Sequence, residues 1–378
     1  MAHYMPWYEC NPARKQWGWH WTMNHYQPDR IVPNPTGRLV SPTRREAASH
    51  FYPLIGLYDS NDPDALECHV LLMKLSGIDG VIIDWYGPDA LYDYALLDRN
   101  TQHLIKFIKK AGLRFCLMYE DQSVPNLIQA KRLVEADVVA HGQRVLAAVQ
   151  KRWFTDPAHL TTDNRPVFMV FGSGYYKEEQ WKQIFAPLPK QPYFFTESYR
   201  RPPAVGGFSW PQPGGGTKDA LKEIAGFYQQ AKTWDDFVPA AFPRFKDIYV
   251  EAGVHKSWGT IEDNDGKTYR QTLEQALKSK ADIIQLATWN DWGEGTMIEP
   301  SVEFGYRDLE ATQKLRRLHK DPRFPYTAQD LRLPVTLYNL RKQGNPKQKP
   351  ALDEVSRLLF AGQVKKARAF LTARFPSL

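Results

Sequence analysis

The hydrophobic positions of this chain follow two alternating patterns, short apolar runs and longer stretches with helical spacing. Four of the eight runs are almost continuously apolar, which is typical of parallel strands covered on both faces. The runs predict strands at 3–8, 80–87, 114–121, 165–172, 193–199, 205–210, 247–255 and 282–291. The stretches between them predict helices at 64–77, 100–112, 126–153, 176–188, 217–234 and 267–281. Eight alternations of strand and helix predict an α/β fold, a (β/α)8 TIM barrel.

Two departures from a regular barrel are visible in the spacing. Only about six residues separate the fifth and sixth predicted strands, too few for a helix. Residues 10–62 form an unusually long loop, and long loops within compact domains are usually functional. A doubly wound sheet is the competing fold, but it needs no eighth strand, and no GxGxxG follows an early strand.

The C-terminal part of the chain has a different pattern. Beyond residue 321 there is no strand signal, and residues 352–375 read as two helices joined by a turn. We therefore predict two units, a catalytic barrel over 1–320 and a helical extension over 321–378 that packs on it.

Composition and charge exclude several classes of protein. Residues 311–378 carry a net charge of +11, which leaves −4 for residues 1–310, so the pI near 9.0 belongs to the tail. No nucleic-acid-binding motif accompanies those charges, and we interpret them as a solvated helical face rather than a nucleic-acid site. No apolar run is long enough to span a membrane. The opening residues do not resemble a signal peptide, so we expect any export signal to be absent or removed.

The three cysteines, Cys10, Cys68 and Cys116, have no metal-binding spacing. An odd number of isolated cysteines predicts buried thiols, without a disulfide framework or structural zinc. We expect neither a metal nor a cofactor.

Acidic and aromatic residues cluster where the predicted strands end. In a TIM barrel these ends form the active site. Aromatic faces cover the apolar faces of pyranose rings, and carboxylates accept hydrogen bonds from sugar hydroxyls, so this mixture predicts a glycan site. The candidate substrate-binding residues at these ends are Trp7, Tyr8, Trp85, Tyr86, Glu120, Glu197, Trp210, Asn290 and Trp292. Glu251 and His255 end the predicted seventh strand and belong to the same ring.

The motif TWNDWGEG at 288–295 holds the strongest chemical signal. Asp291 and Glu294 lie three residues apart, between tryptophans and beside glycines. Glycoside hydrolysis needs two carboxyl groups, one of them protonated near neutral pH. Apolar surroundings and a second nearby carboxylate both raise a carboxyl pKa, so this pair is the candidate catalytic pair.

Three segments together resemble the glycoside hydrolase family 71/99-like group, which joins endo-α-mannosidases and endo-α-mannanases to α-1,3-glucanases. They are YMPWY followed by WGWHW (4–8 and 17–21), GIDGVIIDWYG (77–87) and TWNDWGEGTMIEP (288–300). The resemblance covers roughly residues 1–310. It implies that Glu294 is the general acid and Asp291 the other catalytic carboxylate. It places Tyr4, Asn290, Trp85 and Glu120 at or near sugar-contacting positions.

The position of Asp291 separates two mechanisms. Family 99 has a Glu there, which the resemblance links to retention through deprotonation of the sugar 2-hydroxyl. The shorter Asp is similar to family 71 and leaves more room for a water, which favours inversion. Both routes stay open, as does the choice between mannan and glucan.

Two other functions compete with hydrolysis. A non-hydrolytic glycan-binding barrel would not need both acids, and a role in polysaccharide biosynthesis would need a nucleotide-sugar phosphate cradle that the sequence lacks. We therefore expect a monomeric α-glycosidase with an oligosaccharide or polysaccharide substrate. The resemblance implies a periplasmic or extracellular location.

Overall fold

A computed structural model describes residues 1–34, 43–172 and 174–375. Its centre is a barrel of eight parallel strands in the order β6-β5-β4-β3-β2-β1-β8-β7. A single parallel bridge from Phe208 to Val238 joins the two ends of this sheet. The strands are β1 Ala2–Tyr4, β2 Gly80–Trp85, β3 Arg114–Glu120, β4 Arg165–Phe171, β5 Tyr193–Glu197, β6 Gly206–Phe208, β7 Ala240–Ala241 and β8 Gln285–Leu286. The predicted TIM barrel is therefore confirmed.

The barrel helices follow seven of the eight strands, and no helix lies between β5 and β6, as the spacing predicts. They are α1 Pro63–Ser76, α2 Tyr94–Ala111, α3 Val138–Val149, α4 Glu178–Phe185, α5 Gly216–Ala231, α6 Lys267–Lys278 and α7 Arg307–His319. The first has clear sequence signals at both ends. The Asp62 side chain accepts a hydrogen bond from the Asp64 amide (3.0 Å), and Gly77 ends the helix in the left-handed conformation.

The predicted seventh strand is wrong. Residues 247–255 form turns, in which Ala252 N donates to Ile248 O and Val254 N to Tyr249 O. The seventh strand is the two-residue β7, which lies inside the buried run 238–242. This run is short and has a proline on each side of the strand, so the sequence shows no strand period there. Glu251 and His255 consequently lie on the loop after β7 rather than at a strand end.

The predicted helix over 126–153 is also divided. A short helix, Ser123–Gln129, ends before Lys131, whose φ of 57° is left-handed. A 3-10 turn at Glu135–Asp137 precedes α3, and a π turn at Gln150–Phe154 follows it. Left-handed backbone cannot continue a right-handed helix. The helical spacing of apolar residues therefore continues in the sequence across a point where the helix itself is interrupted.

The C-terminal extension forms three helices, α8 Arg332–Lys342, α9 Lys349–Phe360 and α10 Val364–Arg374. It packs on α1, where the buried Glu67 accepts hydrogen bonds from Arg341 Nε (2.8 Å) and from Ser356 Oγ. Lys342 pairs with Asp62 (2.6 Å). Part of the basic charge of the tail thus neutralises acids of the barrel instead of facing solvent. The domain boundary at residue 320 stays a prediction.

Candidate active site

The motif after β8 folds back on itself as a tight loop. Thr288 N donates to Thr296 O (3.1 Å), and Ile298 N donates to Thr288 O (2.9 Å). Gly295 has a φ of 69°, and a Cβ there would lie 2.8 Å from Lys246 O. Only glycine fits this position, so the sequence places Asp291 and Glu294 together at the end of the barrel.

The two tryptophans of the motif belong to the scaffold. Trp289 and Trp292 are fully buried. Trp292 Nε1 donates to Tyr58 Oη (3.2 Å), and Trp289 lies edge-on to His69, with ring centroids 5.7 Å apart. The tryptophans therefore make the surroundings of the acids apolar without offering a sugar-binding face.

Asn290 joins the motif to the loop after β1. Its Oδ1 accepts from Met5 N (2.8 Å), and its Nδ2 donates to Met5 O (3.0 Å) and Tyr58 Oη (3.1 Å). Tyr8 strengthens the same junction, since its hydroxyl donates to Asn290 O and accepts from Trp292 N, both at 3.0 Å. These bonds fix the motif against the first strand.

This burial corrects part of the predicted binding set. Sugar contact is predicted for five residues that the structure places in the interior, with 0–1% of their surface exposed. Tyr4 Oη bonds His69 Nδ1 (3.0 Å), and Trp85 Nε1 donates to Asp98 (2.9 Å). The five are Tyr4, Tyr8, Trp85, Asn290 and Trp292. They position the site because their side chains point into the packing between strands, helices and loops.

Asn290→Leu tests this structural role. Leucine has a similar size but leaves the Met5 amide and carbonyl without partners, at about 1–3 kcal/mol for each buried group. We expect the thermal midpoint of the variant to fall by several degrees. Gln271→Leu, a similar change at an exposed position of α6, serves as the control and should leave the midpoint nearly unchanged. An unaltered midpoint in Asn290→Leu would contradict the role in packing.

Asp291 and Glu294 occupy different electrostatic surroundings. The Asp291 carboxylate accepts hydrogen bonds from the backbone amides of Glu294 (3.0 Å) and Gly293, which favour its ionised form. Burial nevertheless raises the pKa of Asp291 to about 7, with a contribution from the charge of Asp84. Burial and then the charge of Asp291 raise the pKa of Glu294 well above its usual range, and Tyr249 Oη donates to it at 3.3 Å. Asp291 therefore ionises first, and its charge keeps Glu294 protonated.

Three further acids line the same end of the barrel, and the pKa of each is raised chiefly by burial. Asp84 is at the end of β2, Glu120 ends β3 and Glu197 ends β5. Glu197 Oε2 accepts from Gly172 N (2.7 Å). The mouth of the barrel thus concentrates carboxyl groups from four strands around one space.

One of these acids, Asp84, forms a buried pair with His3. The distance from His3 Nε2 to Asp84 Oδ1 is 3.9 Å, and both side chains are at most 2% exposed. Among the described residues, neither the ring nitrogens of His3 nor the carboxylate oxygens of Asp84 have a hydrogen-bond partner. Trp210 packs edge-on against His3, with centroids 4.9 Å apart, and covers the pair.

The remaining predicted binding residues keep some surface at the mouth. Trp7, Tyr86, Glu120 and Glu197 are partly exposed, and Trp210 is 9% exposed. Trp7 stacks on His20 at 4.1 Å, nearly parallel. Sugar contact by these five residues stays a prediction.

Sequence reasoning missed Tyr249, which contacts Glu294, and the importance of His3. Tyr249 lies within the wrongly predicted seventh strand, between Ile248 and Val250, and nothing in the sequence links it to Glu294. His3 lies on a predicted strand, but nothing in the sequence pairs it with Asp84, because that proximity comes from the adjacency of β1 and β2 in the barrel.

Arg244 holds the loop after β7 beside the motif at 288–295. It is 2% exposed, and its guanidinium donates to Asp263 (3.0 Å), Asp308 and Met297 O (2.8 Å). The ring of Phe304 lies 3.8 Å from its central carbon. Its charge is fully paired, so it acts as a rigid link between the loops of β7 and β8.

Several general properties can be read from the described residues. Within them, no group of three or more His, Cys, Asp or Glu side chains could hold a metal ion. The three cysteines are free. None of the helices in the described ranges is both long and apolar enough to cross a membrane.

Known proteins share both the sequence pattern and the fold. The glycosyl hydrolase family 99 model matches residues 1–196, and a glycosyltransferase WbsX model matches residues 227–312. Glycoprotein endo-alpha-1,2-mannosidase of Rattus norvegicus is 25% identical over 89% of this chain and 78% of its own length. The enzyme of Mus musculus with the same name is also 25% identical, over 80% of this chain and 67% of its own.

The structural comparison gives the same fold. The GH99 endo-alpha-mannosidase of Bacteroides thetaiotaomicron superimposes with a TM-score of 0.60 at 21% identity, covering 85% of this chain and 97% of that one. Among the sequence relatives, the uncharacterized protein WxcX of Xanthomonas campestris is 20% identical over 73% of this chain and 45% of its own length. Because the family 99 model alone spans more than half of the 378 residues, the chain belongs to glycosyl hydrolase family 99 and is a glycoside hydrolase.

Proposed function

We propose that this chain cleaves α-linked mannan or glucan, with Glu294 as the general acid and Asp291 as the general base. The observation that carries the proposal is the pair of carboxyls on one tight loop at the end of β8. Backbone amides favour the ionised form of Asp291, while burial and the neighbouring charge favour the protonated form of Glu294. A pair with separated pKa values supplies one acid and one base at the same pH.

The proposed reaction follows from these protonation states. Glu294 donates its proton to the glycosidic oxygen as the bond to the anomeric carbon breaks, and the positive charge that develops on the sugar ring is stabilised by the surrounding carboxylates. Asp291 accepts a proton from the group that attacks the anomeric carbon. One Asp291 oxygen accepts from Glu294 N, so the carboxylate is held in a fixed orientation for this transfer.

Mannan is favoured over glucan by the names of the relatives, which are endo-α-mannosidases of mammals and of a bacterium. The anomer that forms first from an α-mannan or α-glucan tests the attacking group. If Asp291 activates a water, ¹H NMR should show the β-anomer before mutarotation. If it deprotonates the 2-hydroxyl, two displacements give the α-anomer.

We expect the β-anomer, because the side chain of Asp291 is one methylene shorter than Glu and leaves more space for a water. An initial α-anomer would contradict the activation of water by Asp291. It would remain compatible with Glu294 as the acid and Asp291 as the base. Absence of any new reducing end across the α-mannans and α-glucans would contradict the proposal as a whole. A Glu294→Gln, Asp291→Asn double variant controls for contaminating glycosidases.

Polysaccharide assembly is the second candidate, and one observation favours it. The WbsX glycosyltransferase model matches residues 227–312, a range that includes β7, β8 and the whole catalytic motif. A glycoside-cleaving site becomes a transferring one when an acceptor sugar replaces water. Incubation of an unlabelled α-mannan or α-glucan donor with labelled acceptor oligosaccharides decides between them. Longer labelled products by mass spectrometry support transfer of donor sugars to the acceptor, and shorter unlabelled products alone support hydrolysis of the donor.

A non-hydrolytic glycan-binding role has less support, since both acids and the family membership are present. A monomeric state and a periplasmic or extracellular location stay predictions. Light scattering of the purified chain and fractionation of producing cells would test them.

A further inference from the structure

The exposed aromatic residues of this protein share one end of the barrel. In the described ranges, four Trp or Tyr side chains have at least 40% of their surface exposed. Each lies on a loop that follows a barrel strand: Trp19 after β1, Tyr92 after β2, Tyr199 after β5 and Trp258 after β7. Exposed apolar residues are normally scattered, so their concentration around the mouth indicates a binding rim.

Trp258 is connected to the catalytic motif by a ladder of rings. Its indole lies 4.8 Å from the imidazole of His255, which lies 4.3 Å from the ring of Tyr249. Tyr249 Oη donates to Glu294 (3.3 Å). The ladder begins at the proposed acid and ends at a tryptophan that is 57% exposed.

The loop holds Trp258 in a fixed position despite this exposure. The buried Asp247 carboxylate accepts from Ser257 Oγ (2.9 Å) and Trp258 N (2.8 Å). Gly259 has a φ of 125°, and a Cβ there would lie 2.2 Å from Pro213 O on the loop after β6. Only glycine allows these two loops to pack so closely, and the packing fixes the indole at the rim.

The arrangement of the acids tells which part of a substrate reaches Trp258. The general acid protonates the oxygen of the departing sugar, so the departing sugar lies on the side of Glu294. The loop after β7 is on that side, because Tyr249 Oη donates to the Glu294 carboxyl (3.3 Å) and Lys246 N donates to Glu294 O (2.8 Å).

We propose that His255 and Trp258 form a subsite for the departing part of the glycan, which binds the apolar face of a neutral pyranose by stacking. This inference rests on the proposed function, because it takes its direction from Glu294. Stacking recognises the face of the ring more than its hydroxyl pattern, so the subsite accepts pyranoses that differ in hydroxyl configuration.

Trp258→Ala tests the subsite with two substrates. The first is an α-linked oligosaccharide with several sugars on the departing side, and the second is the α-glycosyl fluoride of the same sugar, whose departing group is a fluoride ion. The ratio of kcat/KM for the oligosaccharide to kcat/KM for the fluoride should fall about fivefold, since one aromatic stacking contact is worth about 1 kcal/mol. Trp258→Phe should restore part of it.

Val254→Ala is the matched control, because Val254 is exposed on the same loop but outside the ladder, and it should leave this ratio unchanged. An equal fall on both substrates would assign Trp258 to loop structure, and an unchanged ratio would exclude contact; either overturns the subsite. If the wild-type chain hydrolyses neither substrate, the proposed function fails, and calorimetric titration with the same oligosaccharide still tests the subsite. Loss of affinity in Trp258→Ala supports it, and equal affinity, or no binding by the wild type, overturns it.

Discussion

We expect Glu294→Gln to lower kcat/KM for an α-linked oligosaccharide by about a thousandfold, within the range of general acid catalysis. The amide has no proton to donate at neutral pH, so the sugar would have to leave as an alkoxide. An α-glycosyl fluoride needs no such proton, and its hydrolysis should fall far less. Rates of reducing-sugar and fluoride release measure the two effects.

The contrast between these substrates separates an acid from a merely structural residue. Glutamine can still accept the hydrogen bond from Tyr249, so the loops should stay in place. Glu251→Gln is the control, because its side chain is half-exposed on the loop after β7 and contacts His50 at 3.6 Å. Full activity of Glu294→Gln on the oligosaccharide, or an equal loss on the fluoride, would contradict the role of general acid.

Asp291→Asn should inactivate the enzyme on both substrates and at the same time stabilise the fold at neutral pH. Burial raises the pKa of Asp291 from an ordinary 3.8 to about 7, so folding takes up a proton at this group. The tighter binding of this proton in the folded state stabilises the fold fully below about pH 4, and this stabilisation is lost as the pH rises to about 7. Above that pH the protein keeps the full cost of a buried carboxylate. Asparagine never ionises and can still accept from the two backbone amides.

The gain from Asp291→Asn should therefore be smallest near pH 4 and largest above pH 7, at most about 4 kcal/mol from the difference in pKa. Thermal unfolding between pH 5 and pH 8 measures it. Asp282→Asn, a change at an exposed carboxyl, should give a constant difference from the wild type. If the free energy of unfolding of Asp291→Asn differs from that of the wild type by the same amount at every pH, the pKa of Asp291 is not raised by folding.

If Asp291→Asn both inactivates the enzyme and stabilises the fold, the site favours chemistry at the expense of stability. Asp84, Glu120 and Glu197 also have pKa values raised by burial, so the barrel mouth destabilises the fold further as the pH rises. Asn290 and Trp292, by contrast, contribute buried hydrogen bonds and apolar packing to the same motif. The same short motif therefore contains both buried carboxyl groups with raised pKa values and hydrogen-bonded packing residues.

The barrel was predictable because its central strands carry their own signal. Residues 80–85 and 165–171 are mostly apolar on both faces, because the barrel interior covers one face and the outer helices cover the other, and this reads as a nearly continuous run. Glycine at 77 and 112 marked the ends of two helices for an equally local reason, the left-handed φ that each requires. The Asp291 and Glu294 pair was predictable too, because both acids lie on one short segment.

The sequence alone determined the fold class and the candidate catalytic pair, which depend on contacts within one segment or on a repeated period. The tertiary structure decided which residues near the strand ends face the mouth. Trp85 and Asn290 were expected to contact sugar, and long-range partners, Asp98 and Met5, hold them inside. It also decided that β7 is two residues long and that Tyr249 reaches Glu294 from a loop. Such contacts join residues far apart in the chain, and only closure of the barrel brings them together.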